Sequence, residues 1–192
     1  MARGFTEVER ANIRDRLVGE CEKSWAVLGY RKTNLDELCD RAGISKGAFY
    51  FFYDSKELLF CDVLDIIQER LIKMIEETFS AMPGKDAVCE MLKRLYLEYD
   101  KTNILTQRNS SDFVNFLNRA PDEWKAKSRA IGENFLADTI FGPSLKLKMD
   151  KKKAGGILNA LLAIVTAKDT IGYDHYEVFC TLLDSVIDEI YE

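Results

Sequence analysis

The sequence predicts an all-α protein of about nine helices, and three observations carry that expectation. Apolar residues recur at steps of three or four along nearly the whole chain, which is the mark of one-sided helices. No stretch alternates apolar and polar residues with period two, as a half-buried strand would. Ser, Thr, Asp, Gly and Pro punctuate the periodic segments at the places where caps and breakers belong. The chain has 192 residues, 47% hydrophobic and 31% charged with three prolines, which is the balance of a protein that folds around a core.

In chain order, Ile13, Leu17, Cys21, Trp25 and Leu28 form one face of a first helix, ended by Gly29. Thr33-Asn34-Leu35-Asp36 has the form of a capping box with Thr33 as the cap, so a short second helix begins near Asn34 and reaches Ala42. Gly43 permits a sharp turn, and Ser45 caps a third helix running to about Phe52. Asp54 and Ser55 precede a long helix from Lys56, with Leu59, Val63, Ile67, Leu71, Ile75 and Phe79 on one side and Pro83-Gly84 as the stop. Further helices are expected over about Lys85 to Thr102, about Ser110 to Asn118, and from Pro121 to a stop at Gly142-Pro143. After the lysine-rich connection KLKMDKKK, expected as a solvated loop, the last two run over about Ala154 to Thr170 and about Tyr176 to Ile190.

This pattern divides the chain into a three-helix N-terminal domain, residues 1–54, and a helical C-terminal domain, residues 55–192. The stripes of the two closing helices are wide: Leu158, Leu161 and Val165 on one, and Phe179, Leu182, Leu183, Val186 and Ile190 on the other. They carry more apolar surface than one neighbour covers, which predicts a homodimer built on a two-fold helical bundle.

Several classes of function are disfavoured. The five cysteines are scattered, there is no CxxC pair, and His175 is the single histidine, so neither a metal site nor a catalytic triad is expected. No phosphate loop or other cofactor motif occurs, and we expect no enzyme activity and no cofactor. The longest nearly apolar run, Ala154 to Ala167, is shorter than the ~18 residues of a membrane span. The N-terminal MARGFTEVER has charges where a signal peptide needs an apolar stretch, which points to a cytoplasmic protein with no membrane partner.

The densest motif is TNLDELCDRAGISKGAFYFFYDSKELLF, residues 33–60. Two short helices joined at Gly43, with longer ones before and after, have the outline of a helix-turn-helix, whose second helix enters the major groove of DNA. In its threonine, turn glycine, Ser-Lys-Gly, aromatic pair and Lys-Glu, this stretch resembles the DNA-binding signature of the TetR family of repressors. The resemblance implies a double-stranded DNA partner and roles for particular residues. Tyr50 and Lys56 would meet phosphates, and Thr33 would cap its helix and present the helix N-terminus to the DNA backbone. Lys46 would reach a guanine edge or a phosphate, Gly47 would let the backbone approach the bases, and the Ala48 methyl would touch a thymine methyl. Ser45, the cap of the same helix, and Phe51 complete the expected surface. The sequence departs from the family pattern at Phe51 and Phe52, where relatives often have tyrosine or histidine, and at Asp54, where a negative charge weakens non-specific attraction.

Net charge is −5, yet the ten basic and ten acidic residues through position 60 cancel, so the excess lies beyond the reading head. DNA attraction must then come from local arrangement, with Arg3, Arg31, Lys32, Lys46 and Lys56 on one side. The resemblance further implies a small effector held among the C-terminal helices, whose binding shifts the long fourth helix. The large side chains Met91, Tyr96, Tyr99, Phe113, Phe116, Leu117, Trp124 and Phe135 are the expected lining, which suits an apolar or aromatic molecule. Asp112, Asn115 and Asn118 are the nearest polar partners, with Cys89 behind them. The alternatives are a dimeric protein-interaction module and a small helical enzyme.

Overall fold

The computed structural model describes residues 5–104, 107, 110–142 and 145–192, and over 132–138 the backbone alone. Arg3, Pro143 and the Phe135 side chain therefore lie outside the described residues. Among the described residues there are nine α-helices and one 3₁₀ helix: α1 (Glu7–Lys32), α2 (Leu35–Ala42), α3 (Lys46–Phe49), α4 (Lys56–Ala81), α5 (Gly84–Thr102), α6 (Ser111–Leu117), α7 (Asp122–Ile140), α8 (Lys151–Leu162), the 3₁₀ helix Ala163–Thr170, and α9 (His175–Ile190). The all-α class is as the sequence predicts. None of these helices is long and apolar enough to cross a membrane, and no cluster of three or more metal-ligating side chains occurs among the described residues.

The chain folds into two compact units, one of Met1–Ile67 with Arg108–Lys127 and the other of Gln68–Gln107 with Ser128–Glu192. The division is not the single cut expected between residues 54 and 55. The reason is an aromatic cluster in the first unit that needs rings from distant segments. Trp25 of α1 lies 4.6 Å from Phe60 of α4 and 5.2 Å from Phe116 of α6, and Phe116 lies 5.8 Å from Trp124 of α7. Such ring contacts add to the burial of their large apolar area. Phe113 and Phe116, read in the sequence as effector lining, are therefore part of the core beneath the two-helix motif, with the half-buried Trp124 packed at its edge.

Within this unit the start of α1 is fixed by a capping box between Thr6 and Glu9. Gly29 interrupts α1 at φ 81°, ψ 173°, after which one more turn reaches Lys32. Leu28, expected on the buried face, sits beside that break and is 43% exposed. The cap of α2 belongs to Asn34, whose Oδ1 accepts the Asp36 N–H at 2.8 Å, and not to Thr33. Gly43 closes α2 in the left-handed region at φ 74°, a conformation open to glycine at no steric cost. Ser45 Oγ then accepts the Ala48 N–H at 3.2 Å and starts α3, while Ser55 Oγ accepts the Leu58 N–H at 3.3 Å and starts α4.

The second unit has its own core, with Ile75 of α4 and Val88, Met91, Leu92 and Tyr96 of α5 against the inner faces of α8 and α9. Tyr96 stacks on Phe179 with ring centroids 4.2 Å apart. This core overturns most of the expected dimer surface. Leu158, Leu161, Val165, Phe179, Leu183 and Ile190 are all buried within one chain, because α8, the 3₁₀ helix and α9 share one core with α5. Only Leu182, 42% exposed, and the half-buried Val186 remain at the surface. The lysine-rich connection is also shorter than expected: Asp150 caps α8, accepting the Lys153 N–H at 3.0 Å, and Lys151 to Lys153 form its first turn. Past Leu162 the chain tightens to 3₁₀, with Thr166 and Thr170 hydroxyls donating to carbonyls three residues back. His175 opens α9, as the sequence suggests, and its Nδ1 pairs with the Tyr96 hydroxyl at 2.8 Å.

Candidate nucleic-acid interface

The helix-turn-helix is built around what lies beneath it. Leu38, Ala42 and Phe49 are fully buried and Tyr53 nearly so, and the rings of Phe49 and Tyr53 stack at 5.7 Å. The Tyr53 hydroxyl donates to Asp62, whose carboxylate also accepts a two-pronged bond from Arg14 at 2.9 and 2.6 Å, tying α1, α4 and the end of the motif together. With these side chains turned inward, the opposite side of α3 faces solvent. Ser45, Lys46 and Gly47 are exposed, Ala48 is half-buried, and Tyr50 and Phe51 stand out at 52% and 69% exposure. Beyond Ser45 Oγ, nothing lies within 4 Å of where a Gly47 Cβ would be, so this backbone is open to a close approach.

Lys46 Nζ pairs with Asp36 at 3.1 Å across the turn, both side chains more than half exposed. An exposed pair of this kind is worth little in water. The ammonium is thus held near α3 and is easily exchanged to an anionic partner.

Thr33 and Lys56 are placed differently from the sequence expectation. Thr33 is 2% exposed, and its hydroxyl donates to the Gly29 carbonyl at 2.7 Å, closing the end of α1. Lys56 turns inward: its Nζ donates to the carbonyls of Tyr30 at 2.7 Å and Thr33 at 2.6 Å, and lies over the Tyr30 ring. Burial holds this lysine below its ordinary pKa. A cation on the free carbonyls of a helix C-terminus is favourable on electrostatic grounds. The pair shapes the junction between α1, α2 and α4 instead of offering itself to a phosphate.

The same junction contains a residue whose place the sequence does not reveal. Asp112 at the start of α6 accepts the Tyr30 N–H through Oδ2 and the Arg31 N–H, at 3.1 Å, through Oδ1. Beside it the Tyr30 hydroxyl donates to Glu57. Burial first, and then that carboxylate, push the Tyr30 phenol up to about 12. A cleft of about 380 Å³ is lined here by Tyr30, Arg31, Lys56, Glu57, Asn115 and Arg119. It is polar, unlike the apolar cavity expected for an effector. Of the expected effector residues, Met91 and Tyr96 are sealed in the second core and Tyr99 packs against it, whereas Phe113, Phe116 and Trp124 belong to the first unit and Leu117 lies half-buried on α6. Asn115, expected as a polar partner for an effector, lines the cleft instead.

A capped two-helix motif with a left-handed glycine at its turn, a sealed aromatic underside and an exposed outer face has the geometry of a helix-turn-helix. Residues 22–63 match the model of the bacterial regulatory proteins of the tetR family. The matched segment takes in α2, α3 and the ends of α1 and α4 that flank them, so the likeness to that family lies in the helix-turn-helix. The chain is similar to the uncharacterised HTH-type transcriptional regulator YerO of Bacillus subtilis (strain 168), with 20% identity over 191 residues, covering 91% of this chain. The match spans 63% of that relative's length. Among solved structures it resembles a TetR family transcription regulator from Marinobacter aquaeolei VT8 (TM-score 0.69, 14% identity, 97% of this chain and 100% of that one). It also resembles the transcriptional regulator FadR from Bacillus subtilis in complex with stearoyl-CoA (TM-score 0.68, 16% identity, 92% of this chain and 98% of that one).

Proposed function

We propose that the protein is a homodimeric repressor that binds a palindromic operator through α3 and is released by a small effector. The observation that carries the reading is the outer face of α3, where Lys46, Gly47, Tyr50 and Phe51 are exposed over a fully buried Phe49. Lys46 and the backbone at Gly47 then meet base edges, Ala48 and Phe51 supply apolar contact, and Tyr50 donates its hydroxyl to a phosphate. Ser45 and Thr33 support this surface by fixing the start of α3 and the end of α1.

Two copies pair, in this reading, through the outer faces of α8 and α9. Leu182 is exposed there, and Gly156, Asn159 and Ala160 give α8 a narrow exposed side suited to close helix approach. An apolar effector is supported by the stearoyl-CoA of the FadR neighbour, which shows a fold of this kind around a ligand with a long apolar chain. For induction, the effector must bind the DNA-incompetent arrangement more tightly than the competent one.

The test is selection of random duplex DNA by the purified protein, repeated in about 0.5 M salt to remove non-specific attraction. Enrichment of an inverted repeat supports the reading. No enrichment at low salt sinks it. Binding to a protein partner that persists undiminished across the same salt range would favour an interaction module instead.

A further inference from the structure

The break in α1 and the start of α6 form one device. At Gly29 the helix steps out of register, which leaves the N–H groups of Tyr30 and Arg31 without the helical carbonyl partners of an unbroken helix. Both are taken by one carboxylate from a residue 82 positions along the chain: Asp112 accepts Tyr30 N–H through one oxygen and Arg31 N–H through the other. The Arg31 side chain adds an ion pair at 3.5 Å to the same carboxylate. The fit depends on glycine twice over. Position 29 has φ 81°, and a Cβ there would stand 2.5 Å from Asp112 Oδ2.

The segment fixed in this way leads directly into the motif. Tyr30 and Thr33 supply the carbonyls that hold Lys56 at the head of α4, Thr33 closes α1, and Asn34 opens α2. A shift of a few tenths of an ångström at residues 30–31 therefore reaches both ends of the two-helix motif through hydrogen bonds, with no loop between to absorb it. Around the carboxylate the charged groups are Arg31 from α1, Lys56 and Glu57 from α4, and Arg119 beyond α6, and all line or border the polar cleft.

We infer that Asp112 is a positioning residue for DNA binding: its carboxylate, seated in the space left by Gly29, sets the angle at which α1 delivers the helix-turn-helix, and so the fit of α3 to the groove. The inference rests on the DNA-binding reading of α3 and goes beyond it, since Asp112 is far from α3 in sequence and touches no base. It also gives α6 a defined grip on the reading head, in a carboxylate whose loss leaves the aromatic core of the unit in place.

The test uses the full-length protein and the DNA sequence that the wild type selects. Asp112→Asn keeps the size of the side chain and removes the charge and one acceptor. Expected results are faster exchange of the Tyr30 and Arg31 amides in the absence of DNA and about tenfold weaker operator affinity, with the salt slope unchanged because no phosphate contact is lost. Asp112→Glu, which restores the charge on a longer arm, recovers part of the affinity. Gly29→Ala, which displaces the carboxylate from the other side, reproduces the loss, and combining it with Asp112→Asn costs no more than either alone. A drop in thermal stability alone would mark an ordinary structural contact. Operator affinity within twofold of wild type, with the two amides exposed, would overturn the inference. If the wild type selected no DNA, the reading of α3 would fail at that earlier step, before any variant was compared.

Discussion

Both units hide their largest rings, Trp25, Phe60 and Phe116 in one and Tyr96 and Phe179 in the other, but they differ in what a sequence stripe becomes. In the unit that holds the helix-turn-helix the aromatic run Phe49 to Tyr53 is split by a helix of a single turn. Phe49 and Tyr53 go under, while Tyr50 and Phe51 go out. In the other unit the stripes of α8 and α9 are absorbed into one core shared with α5 and the 3₁₀ helix, and of the eight positions read as a pairing surface only Leu182 is clearly exposed. The lesson concerns chain neighbours. A short capped helix has only one way to bury one face, so the residues left over can be named. A long apolar stripe can be satisfied by the same chain or by another copy, and periodicity alone does not choose.

The widest test of the comparison is in the cores. Trp25→Ala removes the ring at the centre of the first cluster and should cost about 3–5 kcal/mol in urea unfolding. A loss below about 1 kcal/mol would mean that α4, α6 and α7 do not share that core, and the two-unit division would have to be redrawn. Next is Lys56→Met, which keeps the stem and leaves the carbonyls of Tyr30 and Thr33 without their cation. It should destabilise by about 1–3 kcal/mol and leave the salt dependence of DNA binding unchanged. A reduced salt slope would instead return Lys56 to the phosphate-contacting set.

Those variants bear on how far the sequence could be read. The helix order, the turn at Gly43, the cap at Ser45 and the outward side of α3 are local facts, set by a few adjacent residues, and they were legible. Thr33 misled because a capping-box pattern specifies that a cap exists and not which of two adjacent polar residues supplies it. Here Asn34 has the free side chain, and Thr33 is drawn back to Gly29. Asp112 reads as a polar group among aromatics, but its partners are backbone N–H groups 81 and 82 residues earlier, and no spacing rule encodes such a pairing. The aromatic residues of α6 and α7 were legible as apolar and illegible as to which core they enter.

On the face of α3 proposed to meet DNA the expected effects are comparable or smaller and differ in kind. Lys46→Ala should cost about 1–3 kcal/mol at the base it reads, flattening preference at one operator position. Tyr50→Phe should cost about 1 kcal/mol on every sequence alike, as the loss of one hydrogen bond to phosphate. Competition binding against operators substituted one position at a time separates the two patterns, and a uniform loss for Lys46→Ala would remove it from base readout. Leu182→Glu completes the set in the second unit: sedimentation should show a weakened dimer with an unchanged circular dichroism spectrum. An undisturbed dimer would place the pairing surface away from α9.

The smallest effect is alkaline and comes from the junction beneath the motif. The Tyr30 phenol is raised to about 12 because burial disfavours its anion and because it must keep its proton to donate to Glu57. An unfolded tyrosine releases that proton near pH 10. Above this the unfolded chain binds fewer protons than the folded one at this site, so stability falls as pH rises. Tyr30's contribution should be complete below about pH 10 and decline as pH climbs towards about 12. Tyr96 is raised to about 12 by burial as well, so both units weaken over one window, and pH alone does not tell them apart. Single substitutions do. Tyr30→Phe should reduce the alkaline fall in urea midpoint by its own share and, with the Glu57 carboxylate losing that donor, lower the midpoint at neutral pH. In Tyr96→Phe the remaining slope is shared by Tyr30 with Tyr53, Tyr191 and the Cys21 and Cys61 thiols, which burial raises as well. Should Tyr30→Phe leave the alkaline slope untouched, the phenol would not be held protonated by the fold, and Glu57 would have no part in closing the end of α1.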